Sequence, residues 1–484
     1  MTTQANHKRN MRDAEVQVLD AEKWASLAWL DGRAYPGNEL TEDWKKVLFN
    51  QFHDLAAGSG IGVIYKDAQK DYDVVRWSTN EIGAGALGTV DERVQTAGAG
   101  IPIVVHNPLG WERSGEVSVH VEGGKAASAT GAQIVETTTD EKTGVSDVKL
   151  HVLNVPALGY KVVWVGSGNH ATVAGDRPVE GKESGNSITL ENDILRMSVD
   201  KHSGCVTSIF DKRSTFETVA SGGCSNQLQF FKDTPKDYDA WNIDPGTLDA
   251  APTVIERADL VELLRTAEPG IRVTRHWQGS KFVQTLSLTA DGDMVDVDNE
   301  IDWHETHVLL KAAFPLAASG PFATYEIPYG SIDRPTTRNN SWEKAQFEVP
   351  AMRWADLGDG KHGLSVINNS KYGYDAAGNV LRLTLLRSPT WPDPEADRGH
   401  HHFHYALYPH AGTWKDALTV RHGYEYNYPL TAVVTTAHAG SLPAEHSFAS
   451  VGPENVVLTA VKKAEDSNGL IFRAYEWAGK DSTA

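Results

Sequence analysis

The sequence predicts a multidomain, mainly β protein: a short α-helical bundle, then a β-sandwich module, then a larger β domain. Three observations carry this. Apolar residues recur at three-to-four spacing only over about the first ninety positions. Beyond the Gly-rich QTAGAG the period changes to two. From about 187 onward, short strand-like runs follow one another at the intervals of a sandwich. A chain of 484 residues, 40% of them hydrophobic, suffices for two to four ordered domains.

The elements follow in order. MRDAEVQVLDAEKWASLAWL places Val16, Leu19, Trp24, Leu27 and Leu30 on one helical face without Pro or Gly, and DGRAYPGNEL breaks it. Thr41 is the expected cap of the next helix. Glu42 and Asp43 lie in its first turn, and Trp44, Val47, Leu48, Gln51 and Phe52 line one side. His53 then falls opposite Trp44 and faces another layer, a cavity or solvent. A third helical pattern, from about 60 to 92, is interrupted by Gly83, Gly85 and Gly88. Together these make a helical bundle over 1–95.

The alternating runs IPIVVHNPLGWERSGEVSVHV and KLHVLNVPALGYKVVWVG define a β-sandwich module at 96–170. GSGNHATVAGDRPVEGKESGNS reads as a linker. Runs such as SITLENDILRMSVD, KFVQTLSLTA, MVDVDNEIDW and VLRLTLLRS fill the large β domain at 187–425. Residues 426–484 form a C-terminal β segment with a hairpin at DSNG.

Charge and composition exclude some functions. A net charge of -19 disfavours a phosphate-tracking surface, so nucleic acid is not an expected partner. No apolar run spans a bilayer, and MTTQANHKRNMRDAEVQ lacks the apolar core of a signal peptide, so the expectation is a cytoplasmic protein without a membrane segment. Cys205 and Cys224, without CxxC spacing, are expected to be separate thiols rather than a disulfide or a zinc site.

Several stretches carry residues suited to chemistry. His53 and Asp54, before LAAGSG, admit two readings: a helix-terminal His with a turn-capping Asp, or a metal-binding imidazole beside a carboxylate that holds substrate. In WHETH, His304 and His307 are expected on opposite faces of a strand, which disfavours joint metal binding. In RGHHHFHYALYPH, His402 and His404 share a strand face, the most metal-like composition in the chain, although a half-exposed strand is the preferred reading. DTPKDYDAWNIDPG sets Asp233, Asp237, Asp239 and Asp244 around Tyr238 and Trp241, carboxylates for sugar hydroxyls and an indole for the ring face, or else a polar loop. Arg387 ends a strand and enters a loop of Pro and acids, where binding residues are often displayed.

Taken together, LFNQFHDLAAGSGI, HNPLGWERSG, LENDILRMSVDKHSGCVTSIFDKR, KDYDAWNID, YEIPYGSIDRPT, FEVPAMRWADL, NNSKYGYD, LLRSPTWPDPEADRG and ENVVLTAVKKAED resemble the zinc-dependent α-mannosidases of glycoside hydrolase family 38. They match the part that follows the N-terminal catalytic domain in that family. The resemblance implies that the large β domain is a β-supersandwich. It also implies that His53 is a zinc ligand and Asp54 a sugar contact, with Arg387, Trp241 and Asp239 near the substrate. In such a retaining enzyme two carboxyl groups about 5 Å apart act as nucleophile and acid/base. By the resemblance these belong to the upstream domain, with the other zinc ligands, so no catalytic residue is expected in this chain and its zinc site is incomplete. The expected partners are a mannose-containing oligosaccharide and a catalytic domain, upstream or on a separate subunit, and a homo-oligomer stays open. The alternative function is a non-catalytic carbohydrate-binding or scaffold β protein of the same ancestry.

Overall fold

The computed structural model describes residues 2–122, 126, 128–166 and 179–484. Most of the expected linker at 166–187 therefore lies outside the described residues. The protein is mainly β, with helices concentrated in its first ninety-one residues.

Helix α1 (Ala5–Leu30) is followed by α2 (Gly37–Asn50), a single turn α3 (His53–Ala57) and the long α4 (Gly62–Asp91). Two expectations are corrected here. Thr41 is not the cap of α2: the helix starts four residues earlier, behind Pro36, and the Thr41 hydroxyl donates back to the Gly37 carbonyl at 2.7 Å. Nor do the glycines divide α4. A glycine costs about 1 kcal/mol in a helix interior, and burial of Val75, Ala86, Leu87 and Val90 outweighs that cost.

The chain folds as two compact units that are not consecutive in sequence. One comprises 1–13, 48–72 and 176–427; the other comprises 14–47, 73–175 and 428–484. In the second unit, Ile101–Asn107 pairs on one side with Gly159–Gly166 and on the other with Thr431–Val434, so the C-terminal segment completes a sheet begun 330 residues earlier. Val117, Val119, Val148 and Leu150 pack with Ile103, Val105 and Val163 between that sheet and a three-stranded one. The expected DSNG hairpin joins Val456–Lys463 to Leu470–Glu476.

The first unit contains sheets of five, six and nine strands over one core that includes Met197, Ile209, Phe282, Val297, Leu310, Phe314, Leu383 and Tyr405. In the nine-stranded sheet, Val295–Trp303 lies between Ser280–Ser287 and the long strand Gly399–Ala411. Alternation sorts its residues: Val295, Val297, Ile301 and Trp303 are buried, while Asp298, Glu300 and Asp302 point outward.

The cysteine expectation is also corrected, because Cys205 and Cys224 form a disulfide. Their neighbours Val206 and Ser225 exchange backbone hydrogen bonds at 3.1 and 2.9 Å, bringing together residues that a separation of 19 does not pair by itself. Among the described residues no helix is long and apolar enough to cross a membrane, which says nothing of crossing by strands.

Candidate functional site

His53 does not end α2; it opens α3 after a break at residues 51 and 52. The turn is fixed from below. Leu55 is its buried anchor, and Gly58 closes it with a left-handed φ of 84°. A side chain at Gly58 would come within 2.2 Å of the Thr3 carbonyl oxygen, so LAAGSG needs glycine there both for conformation and for space. The Tyr65 hydroxyl donates to the Asp54 carbonyl at 3.2 Å and accepts from the Gly60 amide at 2.8 Å.

On this base His53 and Asp54 face outward. Their side chains are 75% and 47% exposed, with imidazole Nε2 and carboxylate Oδ2 3.4 Å apart. The Phe52 ring lies beside the imidazole, with centroids 4.2 Å apart. Around the pair in sequence, Leu48, Phe49, Phe52, Ile61 and Val63 are all exposed, an unusual density of bare apolar side chains.

The other sequence-predicted residues are held differently. Arg387 is buried at 1% exposure, which corrects the expectation that its loop displays it for binding. Its Nε donates to Asp233 Oδ2 at 2.7 Å, and Nη1 donates to Thr3 Oγ1 and the Ala240 carbonyl at 3.3 and 2.9 Å. Nη2 donates to the Asp239 carbonyl at 2.7 Å and to that of Asn242. All five guanidinium donors are occupied, so Arg387 pins the 239–242 loop and has none left for a sugar. Burial pushes the Asp233 carboxyl up, against the pull of Arg387.

Asp239 is likewise an organiser. Its Oδ2 accepts from His307 Nε2 at 3.0 Å and from the Thr390 and Trp391 amides at 2.7 and 3.2 Å. The strand expected through WHETH ends at Trp303, so His304 and His307 lie in a turn rather than on opposite strand faces. His304 sits 3.0 Å from the exposed Asp302, and His307 serves Asp239.

This bracing presents an aromatic cluster. Trp241 and Trp391, both about half exposed, have ring centroids 5.2 Å apart, and exposed Tyr238 stands 6.5 Å from Trp241. Trp391 was not singled out from sequence; a Trp between prolines in an acidic loop was the available signal. Its loop also reaches the helical part. Asp393 accepts from Gln4 Nε2 at 2.6 Å and lies where a side chain on Gly62, the first residue of α4, would be. Asp397 accepts from the Gln4 and Ala5 amides at 2.7 and 2.6 Å, capping the start of α1. The 388–398 loop thus contacts both the aromatic cluster and the helical segment behind α3.

Zinc takes four ligands, or three with an open position. His53 has only Asp54 beside it among the described residues, and it is not part of any grouping of three donors. The residues present fit a fragment of a zinc site.

The site thus combines an exposed aromatic cluster with the outward His53–Asp54 pair on a mainly β architecture. Residues 1–89 match the alpha mannosidase middle domain, 190–395 the glycosyl hydrolases family 38 C-terminal domain, and 455–484 the family 38 C-terminal beta sandwich domain. The chain therefore belongs to glycosyl hydrolase family 38, of which it carries the middle and C-terminal domains.

Alpha-mannosidase 2C1 of Mus musculus is 32% identical over 99% of this chain and 44% of its own length. Alpha-mannosidase G of Dictyostelium discoideum is 27% identical over 100% of this chain and 47% of its own. The chain thus spans about half the length of the curated relatives it matches. The crystal structure of an alpha-mannosidase from Enterococcus faecalis V583 shares the fold with a TM-score of 0.82 at 15% identity, over 98% of this chain and 62% of that one.

Proposed function

We propose that this chain is the part of a retaining, zinc-dependent α-mannosidase that supplies one zinc ligand, His53, and one sugar contact, Asp54. It joins a catalytic domain, upstream or on a separate subunit, that brings the nucleophile, the acid/base and the remaining zinc ligands. The substrate class is terminal α-mannosides of oligosaccharides. The observation that carries this reading is the α3 turn, where a His–Asp pair points outward amid Leu48, Phe49, Phe52, Ile61 and Val63. An imidazole and a carboxylate presented on a bare apolar surface suit a site completed by a covering domain. Trp241, with Trp391 and Tyr238, offers a sugar ring a stacking face, whereas Asp239 and Arg387 position that loop.

The test is hydrolysis of an aryl α-mannoside with zinc, by the chain alone and after mixing with the N-terminal domain of a family 38 α-mannosidase. Activity is expected only in the mixture and should be abolished by His53→Ala. Activity of the chain alone would overturn the division of labour.

The exposed aromatic cluster favours a second reading, a non-catalytic carbohydrate-binding protein. Metal-independent binding of a mannose oligosaccharide that survives His53→Ala but not Trp241→Ala would decide for it. As to compartment, the cytoplasm stays our assignment, and the Cys205–Cys224 disulfide is the observation against it, since reducing compartments keep thiols free. A free-thiol count on protein isolated under alkylation separates the two.

A further inference from the structure

On the outer face of the nine-stranded sheet, a row of carboxylates runs beside a row of histidines. Register sets Asp298 opposite His404, Glu300 opposite His402 and Asp302 opposite His400. Alternation turns these side chains outward, away from the core that Val297, Ile301, Phe403 and Tyr405 form on the other side.

Among the described residues, one group of three potential metal ligands converges, Asp298, His402 and His404, with ligand atoms all within 4.8 Å of one another. Both imidazoles turn to the same carboxylate oxygen: His402 Nε2 lies 2.7 Å and His404 Nδ1 3.8 Å from Asp298 Oδ1. Ligands about 2.0–2.1 Å from one tetrahedral zinc stand roughly 3.3 Å apart, a value these two separations bracket. The two rings are nearly perpendicular, with centroids 5.9 Å apart, so their nitrogens approach the oxygen from different directions.

We infer that Asp298, His402 and His404 form a divalent transition-metal site, separate from the partial site at His53. Two imidazoles and one carboxylate suit zinc, nickel or copper better than calcium or magnesium, which prefer all-oxygen shells. The strand backbone is held in place by Arg9, whose Nη1 donates to the His402 carbonyl at 2.7 Å and whose charge is also answered by Asp13 at 3.7 Å. All three side chains are between 41% and 47% exposed, so an ion reaches them without opening the sheet and keeps positions free for water.

Asp298 also lines a concave groove of about 370 Å³ on this face, with Glu300, Glu262, Arg272, Lys281 and Thr285. The site thus lies at the rim of a polar depression large enough for a small ligand.

The test uses the full chain stripped with chelator and titrated calorimetrically with zinc chloride, and with cobalt(II) for its visible spectrum. One binding event is expected whose affinity falls at least tenfold in His402→Gln/His404→Gln and in Asp298→Asn, and which His53→Ala leaves within twofold. The cobalt bands should change in the same variants. Circular dichroism and unfolding midpoints establish that these variants are folded, and Asp302→Asn, on the same face outside the triad, should bind like the parent. No binding by the parent chain, binding that the double variant retains, or binding that only His53→Ala removes would each overturn the assignment.

Discussion

The α3 turn and the Asp239 cluster each set a histidine beside an aspartate, and the fold treats the two pairs in opposite ways. At α3 a histidine and an aspartate touch each other and face solvent, on a turn secured from beneath by Leu55, Gly58 and Tyr65. In the second cluster His307 and Asp239 meet at a similar distance of 3.0 Å, but further bonds from Thr390 and Trp391 also converge on the carboxylate, and Arg387 holds the Asp239, Ala240 and Asn242 carbonyls. The difference teaches how to tell a presented group from a supporting one: by the number of its partners, not by residue type.

The largest effect should come from Arg387→Ala, which leaves Asp233 buried without its cation. A loss of about 3–5 kcal/mol is expected from urea unfolding, and a loss under about 1 kcal/mol would erase the contrast.

Next comes a buried histidine that sharpens it. His7 is enclosed, with Nε2 3.2 Å from the Asn50 carbonyl, and burial, aided by Lys8, lowers its pKa to about 4. The folded state keeps this ring neutral while the unfolded chain takes up a proton near pH 6.5. Its contribution is therefore intact above pH 6.5 and is lost as pH falls toward 4, by about 2–3 kcal/mol. His7→Gln should flatten the stability–pH curve in that window; an unchanged slope would show the ring to be solvated.

Asp239→Ala, which strands the Thr390 and Trp391 amides, should cost about 1–3 kcal/mol. Trp241 fluorescence should also shift as its neighbour Trp391 is released. The smallest effects belong to the presented pair: His53→Ala and Asp54→Ala should leave the unfolding midpoint within about 0.5 kcal/mol of the parent. A larger loss at either position would place that residue among the supports.

Local pattern made much of the fold legible. Period-3.6 and period-2 hydrophobicity located α1 and α4, the strands about Val117 and Val297, and the outward face shared by His402 and His404. The residues of LAAGSG marked the turn that presents His53. What the sequence did not disclose depends on distant partners. Arg387 looks available until Asp233 and three carbonyls from the 239–242 loop arrive around it. His307 looked like a strand residue because nothing in WHETH reveals Asp239, 68 positions away. Cys205 and Cys224 meet where the flanking Val206 and Ser225 backbones pair, a contact 19 positions apart that neither local stretch reveals. The solvent-facing His53 that the helix wheel allowed is the one observed, but for another reason: α2 stops at Asn50, and a wheel has no meaning past a break.

The cap on α1 has a consequence in time. The carboxylate of Asp397 that receives the Gln4 amide is made 393 residues after it. At roughly 5–20 residues per second, a ribosome takes on the order of 20–80 s to supply it. Throughout that interval the first turn of α1 has emerged without its acceptor, and buried Ala5 and Thr3 wait uncovered. The first turn of α1 therefore gains this cap only once Asp397 has been made.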